Sequence, residues 1–132
     1  MSSFCCLIVN NDNLDFAEIE KNIKLKPTDI YHKGEVKDSK YDKSEHSEDG
    51  WVYEVSFEDD KLGTTLDSFI SDLLMFKEYI RQMSNKYHVR LWFDIYSDYA
   101  QINIALSPSV VQKISELGIG IDIQVYSHGD LE

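Results

Sequence analysis

The stretch His88-Val89-Arg90-Leu91-Trp92-Phe93-Asp94-Ile95-Tyr96 constrains the fold of this chain more than any other. Val89, Leu91, Phe93 and Ile95 recur at a period of two, and His88, Arg90, Trp92, Asp94 and Tyr96 fill the positions between them. Successive side chains of a strand point to opposite faces, so the pattern predicts a strand with one face in a core. Its other face is aromatic and charged.

The rest of the chain supplies partners for that strand. Phe4–Val9 is continuously apolar and reads as a strand buried on both faces. After a turn at Asn10–Asn13, with Asp12 or Asn13 as the cap, Phe16, Ile19 and Ile23 mark a helix from about Leu14 to Ile23. Pro27 stops it. A short edge strand is predicted within Thr28–Gly34, and Lys33-Gly34 reads as a turn in which the glycine takes a positive φ. Trp51, Tyr53, Val55 and Phe57 alternate as a longer strand. Leu66, Phe69, Ile70, Leu73, Phe76, Ile80 and Met83 then repeat at about 3.6 residues, which predicts one helix from a Thr64–Asp67 capping box to Lys86. Beyond the central strand, a tight turn at Ser97-Asp98-Tyr99 leads to a strand over Gln101–Leu106 with Ile102, Ile104 and Leu106 inward. Ser107-Pro108 opens a helix striped by Val110, Val111, Ile114 and Leu117, and Gly118 closes it. The last strand, Ile119–Tyr126, puts Ile119, Ile121, Ile123 and Val125 on the core side, with a frayed tail from Ser127.

This order predicts one α+β domain over residues 1–132. The fold class is a ferredoxin-like βαββαβ-type sandwich with an added β-α-β, its helices mainly on one face of a mixed sheet. Two parsings of the βαββαβ unit compete, Phe4–Tyr96 and Trp51–Tyr126. The first is preferred, and it places the His88–Tyr96 strand inside the sheet. Residues 35–50 are rich in Lys, Asp, Glu and Ser without an apolar period, which predicts a flexible polar loop.

A chain of 132 residues can bury a core without staples. Its formal net charge of -11 repels phosphate backbones and anionic headgroups, so neither nucleic acid nor a membrane is an expected partner. A basic protein partner, a cation or solubility alone fits that charge. Cys5 and Cys6 are adjacent and point to opposite faces of a strand, so they build no disulfide framework and a reducing compartment is expected. Phe4–Val9 is too short for a signal-peptide core or a spanning helix, and the expected location is the cytoplasm.

With the helices on one face, Glu54, Ser56, Arg90, Trp92, Asp94, Tyr96, Gln101, Asn103, Asp122, Gln124 and Tyr126 gather on the other. Exposed Trp and Tyr leave large apolar area wet, and Tyr, Trp and Arg anchor protein interfaces. Either a partner covers them, or the first helix, the long loop or the tail does. Glu54, Asp94 and Asp122 are the carboxylates able to converge there for acid–base work. With Arg90 among them, an ordinary ion pair is the simpler reading. His32, His46, His88 and His128 lack metal-ligand spacing, and Cys5 and Cys6 lie in an apolar run that raises a thiol pKa. GxSxG, GxGxxG, HExxH and the phosphate-loop frame are missing. No catalytic residue, metal or cofactor is assigned.

Leu25-x-Pro27-Thr28 running to Lys33-Gly34, Trp51 after a variable loop, Leu106-Ser107 before a short helix, and Ile121-Asp122-Ile123 ending at Tyr126 together resemble a bacterial family. That family is designated domain of unknown function 4279. The likeness spans most of the chain and implies a compact α/β fold, with no catalytic residues to carry over. Small acidic bacterial proteins of this kind look like immunity proteins that neutralise a toxin, which is an analogy. The expectation is a non-enzymatic binding protein for a basic protein partner, with contacts at Arg90, Trp92, Asp94, Tyr96, Asp122 and Tyr126. A small ligand-binding domain or enzyme using the carboxylates, and a homo-dimer burying the aromatic face, are the alternatives.

Overall fold

The computed structural model describes residues 3–37, 43–58, 62–99 and 103–130. In chain order the elements are β1 (Ser3–Asn11), α1 (Phe16–Asn22), β2 (Asp29–Tyr31), β3 (Asp49–Phe57), α2 (Leu62–Leu74), α3 (Lys77–Ser84), β4 (His88–Tyr99), α4 (Pro108–Leu117) and β5 (Gly120–Asp130). The strands form one mixed sheet in the order β2-β3-β1-β4-β5. β1 runs antiparallel to β3 and β4, β2 antiparallel to β3, and β5 parallel to β4. The architecture is therefore α+β, with the central strand inside the sheet.

Register decides which side chains are buried. Leu7 sits opposite Tyr53 on one side and Leu91 on the other, and Val9 opposite Trp51 and Val89. Leu7, Val9, Trp51 and Leu91 are fully buried, and Ile19, Phe69, Ile70, Leu73, Ile80, Met83 and Leu117 from the four helices join them in one cluster. Each such side chain contributes about 1.5–3 kcal/mol of burial free energy.

Several details differ from the sequence expectation: β4 continues through the expected turn at Ser97-Asp98-Tyr99, and β5 continues through the expected frayed tail to Asp130. The α1 cap is Asp15, whose Oδ1 accepts from the Glu18 N–H at 3.1 Å, rather than Asp12 or Asn13. The long helix is two, because Phe76 leaves helical geometry (φ -118°, ψ 21°) and the chain restarts at Lys77. Neither proline nor glycine marks that break. After β4, residues 103–107 form no strand; Ile104 and Leu106 pack on the core from an irregular segment, and Gln101 and Ile102 lie outside the described residues. The connection is a β4-α4-β5 crossover to a parallel strand, not a hairpin. Finally, Ile121, Ile123 and Val125 share the face of Leu91, Phe93 and Ile95 yet are 37%, 43% and 41% exposed. Their intended cover, α4, packs chiefly on α2 and α3. Its ends follow expectation: Ser107 Oγ accepts from the Val110 N–H, Pro108 opens the first turn, and Gly118 closes it at φ 67°.

The described ends of the 35–50 segment pair with each other. Gly34 N–H donates to His46 O at 2.9 Å, His46 N–H to Glu35 O at 2.7 Å and Lys37 N–H to Ser44 O at 2.8 Å, with Gly34 turning at φ 92°. Asp49 holds this hairpin to the sheet. Its Oδ1 accepts from the Lys33 N–H at 2.8 Å and its Oδ2 from the Leu14 N–H at 3.0 Å, tying the turns before α1 and after β2 to β3. Those two backbone donors hold the Asp49 carboxyl below its usual range.

A group with a depressed folded pKa stabilises above the unfolded value and loses that contribution as pH falls through the folded one. Asp49→Asn is therefore expected to cost on the order of 1–3 kcal/mol at neutral pH. The gap from wild type should shrink as pH drops below the ordinary Asp value of about 3.9. Urea unfolding at neutral and acid pH measures it. An equal gap at both would show that the carboxylate charge is not what anchors the loop.

Candidate partner-binding face

The register that buries the odd-numbered positions of β1 lays the even-numbered ones on the opposite face, in rows across the strands. Gly50, Asn10 and His88 make one row, joined at the edge by Tyr31. Val52, Ile8 and Arg90 make the next, then Glu54, Cys6, Trp92 and Asp122, then Ser56, Phe4, Asp94 and Gln124. Tyr96 and Tyr126 close the series on β4 and β5.

The six residues expected to bind a partner all lie on this face, in two linked groups. In the first, Arg90 places its guanidinium 5.4 Å over the Trp92 ring, and its Nη1 donates to His88 Nδ1 at 3.1 Å. Its Nε lies 3.7 Å from Asp122 Oδ2, close enough for an ion pair but too far for a hydrogen bond, so the buried Nε–H has no acceptor among the described residues. Trp92 Nε1–H donates to Asp94 Oδ1 at 2.6 Å. In the second, Tyr96 and Tyr126 stack with centroids 4.8 Å apart, and Phe4 meets Tyr96 edge-on at 6.1 Å. Burial first, then the nearby Asp94 and Tyr126, push the Tyr96 hydroxyl above its usual pKa, so it stays protonated.

Of the other positions expected here, Glu54 is half-buried, Ser56, Asn103 and Gln124 are exposed, and Gln101 lies outside the described residues. Cys6 is buried on this face with its Sγ 3.5 Å from Glu54 Oε1. Burial and the Glu54 carboxylate drive its pKa upward, and burial pushes Cys5 up to about 12. Both thiols are protonated and poor nucleophiles. Among the described residues no group of three or more His, Cys, Asp and Glu is arranged to hold a metal ion, and no helix is long and apolar enough to cross a membrane.

Sequence reasoning missed the far end of the face. Tyr31 lies across Gly50 and its hydroxyl accepts from Asn10 Nδ2 at 2.8 Å, while the His46 ring stacks on it at 3.8 Å. A Cβ on Gly50 would stand 2.0 Å from the Tyr31 ring, so only glycine admits this arrangement. His46 thus covers one end of the face through Tyr31, and Asn10 beneath them is buried. Among the described residues, none covers the end with Tyr96 and Tyr126 in this way. A Gly facing an edge-strand Tyr was the available signal, and it becomes visible only once the β2–β3 register is known. Gly50→Ala should displace Tyr31, cost about 1–3 kcal/mol and release the His46 ring from its stack. Thermal unfolding and the His46 ring proton shifts report both; an unmoved His46 would contradict the packing described here.

Neither the curated proteins nor the solved structures contain a match to this chain. A family model does match, over residues 2–128, and the chain belongs to the family it defines, Domain of unknown function (DUF4279).

Proposed function

We propose that the open end of the sheet face docks a basic protein partner and that the chain works by binding rather than by catalysis. One observation carries this reading. Tyr126 is 42% exposed yet already stacked on Tyr96, with Phe4 edge-on behind, so a large aromatic surface is ordered before anything binds. Ordering in advance removes side-chain entropy from the cost of association. Asp94 lies beside the rings and the exposed Asp122 two rows from them along the same face, and a net charge of -11 steers a cationic protein toward these acids. An immunity protein that neutralises a basic toxin in the cytoplasm is the biological form this reading takes.

The carboxylate alternative draws less support from the geometry. Glu54 and Asp122 stand at opposite ends of one row, three strand spacings or about 14 Å apart along the backbone. Carboxylate pairs that share a hydrolytic task sit at about 5–9.5 Å. Asp94 is held by Trp92 and Asp122 by Arg90. The antiparallel order β2-β3-β1-β4 supports a further reading of residues 3–99 as a ferredoxin-like βαββαβ unit, with α4 and β5 added beside β4.

Capture from a bacterial lysate, with the bait washed at low and then high salt, tests the docking reading. Wild-type bait should retain a stoichiometric basic protein that high salt releases. Tyr126→Ala and Asp122→Lys baits should each bind it roughly 30-fold or more weakly, the size of a central aromatic or charge contact. Wild-type affinity in both variants would remove this face from the interface.

A further inference from the structure

The β5 edge is a second surface, independent of what the aromatic face binds. β5 spans Gly120–Asp130, pairs with β4 on one side and has no strand on the other among the described residues. Exposed edges are usually blunted by brevity, proline or lysine, because their free N–H and C=O groups recruit another strand. The opposite edge, β2, is blunted by its three-residue length. β5 has neither proline nor lysine nor arginine. It also presents Ile121, Ile123 and Val125, 37–43% exposed, as an apolar stripe on the helix side of the sheet.

The charge pattern selects the occupant. A chain of net charge -11 opposes its own copies almost everywhere. Between Ile119 and Ser127, however, the only charge is Asp122, and Arg90 of the same chain lies against it. Apart from Asp122, which lies on the open face, a basic partner finds no carboxylate between Ile119 and Ser127 to attract it along this edge. A second copy finds little to repel it. Antiparallel self-pairing about Ile123 places Ile121 against Val125, Ile123 against its counterpart, and Asp122 against Gln124. Centring on Asp122 would oppose two like charges, and centring on Gln124 would face Ile121 with Ser127. Only the Ile123 register pairs every aliphatic and separates the acids.

We propose that two copies of this chain pair antiparallel through β5 about a twofold axis at Ile123, joining their sheets into one of ten strands. The axis closes the assembly at two copies, because each has only one such edge. Tyr126 lies on the opposite face of the same strand, so pairing also brings the two aromatic surfaces alongside each other.

Sedimentation equilibrium of the purified protein should give twice the chain mass of 15.3 kDa. Ile123→Lys should reduce it to 15.3 kDa. Met75→Lys, which removes a still more exposed apolar side chain at the α2–α3 turn, should leave the dimer intact. Far-UV circular dichroism of each variant excludes unfolding as the cause. As a direct readout, Ile123→Cys should form a disulfide-linked dimer on mild oxidation, since the natural thiols at Cys5 and Cys6 are buried. A monomeric wild type, a dimer that survives Ile123→Lys, or an Ile123→Cys chain that stays uncrosslinked would overturn the proposal. None of these outcomes depends on finding the basic partner.

Discussion

The antiparallel pairing of β1 with β3 and β4 is the constraint on which everything else rests. Through it Leu7 meets Tyr53 and Leu91, and Cys6 meets Glu54 and Trp92. Side-chain direction alternates along a strand, so a slip of one residue in either ladder would put Trp92 and Arg90 into the core and leave Leu91 and Phe93 in water. Burial of Leu7, Val9, Leu91 and Phe93 against the helices fixes the register. The candidate face is set by the same choice, because its residues are the ones the core rejected. Fold and site are two sides of one hydrophobic decision.

Within that face, cover is uneven. At one end Asp49 pins the loop turns through backbone donors, and His46 and Tyr31 close over Gly50 and Asn10. At the other, Tyr126 remains open although its ring is already stacked. A protein that only needed to hide its aromatic residues had the means, as Tyr31 shows. The open end is the part of the face that the proposed partner would cover.

Much of this was legible in the sequence. The period-two alternation of residues 88–96, the helix punctuation at Ser107-Pro108 and Gly118, and the turn at Gly34 each rest on local chemistry that needs no tertiary information. What escaped depends on contacts between distant segments. The hydrophobic stripe from Leu66 to Met83 stays in phase across the Phe76 break, so periodicity alone cannot reveal that the backbone leaves the helix there. Phe4–Val9 is apolar throughout, yet Phe4 and Ile8 lie half-buried on the open face, because alternate residues of a strand face opposite sides of the sheet whatever their chemistry. The alternation of Ile121, Ile123 and Val125 correctly marks a strand, but whether a helix covers it is decided by where α4 packs.

Arg90 shows how closely the face and the edge depend on each other. Among the strand positions of this face it is the one lysine or arginine, and its guanidinium reaches His88, the Trp92 ring and Asp122. Burying a cation without a full set of acceptors is costly, as the unpaired Nε–H illustrates. The favourable terms that offset this cost are the contact with Trp92 and the attraction of Asp122. The second of these has a consequence beyond β4. By drawing Asp122 toward β4, Arg90 compensates the one charge in the middle of β5, so a strand of a strongly acidic protein presents an electrically quiet edge. The same cation leaves Asp122 more than half exposed, open to the basic surface proposed to arrive over the face. One side chain would thereby permit both proposed contacts, which the overall charge sets against each other.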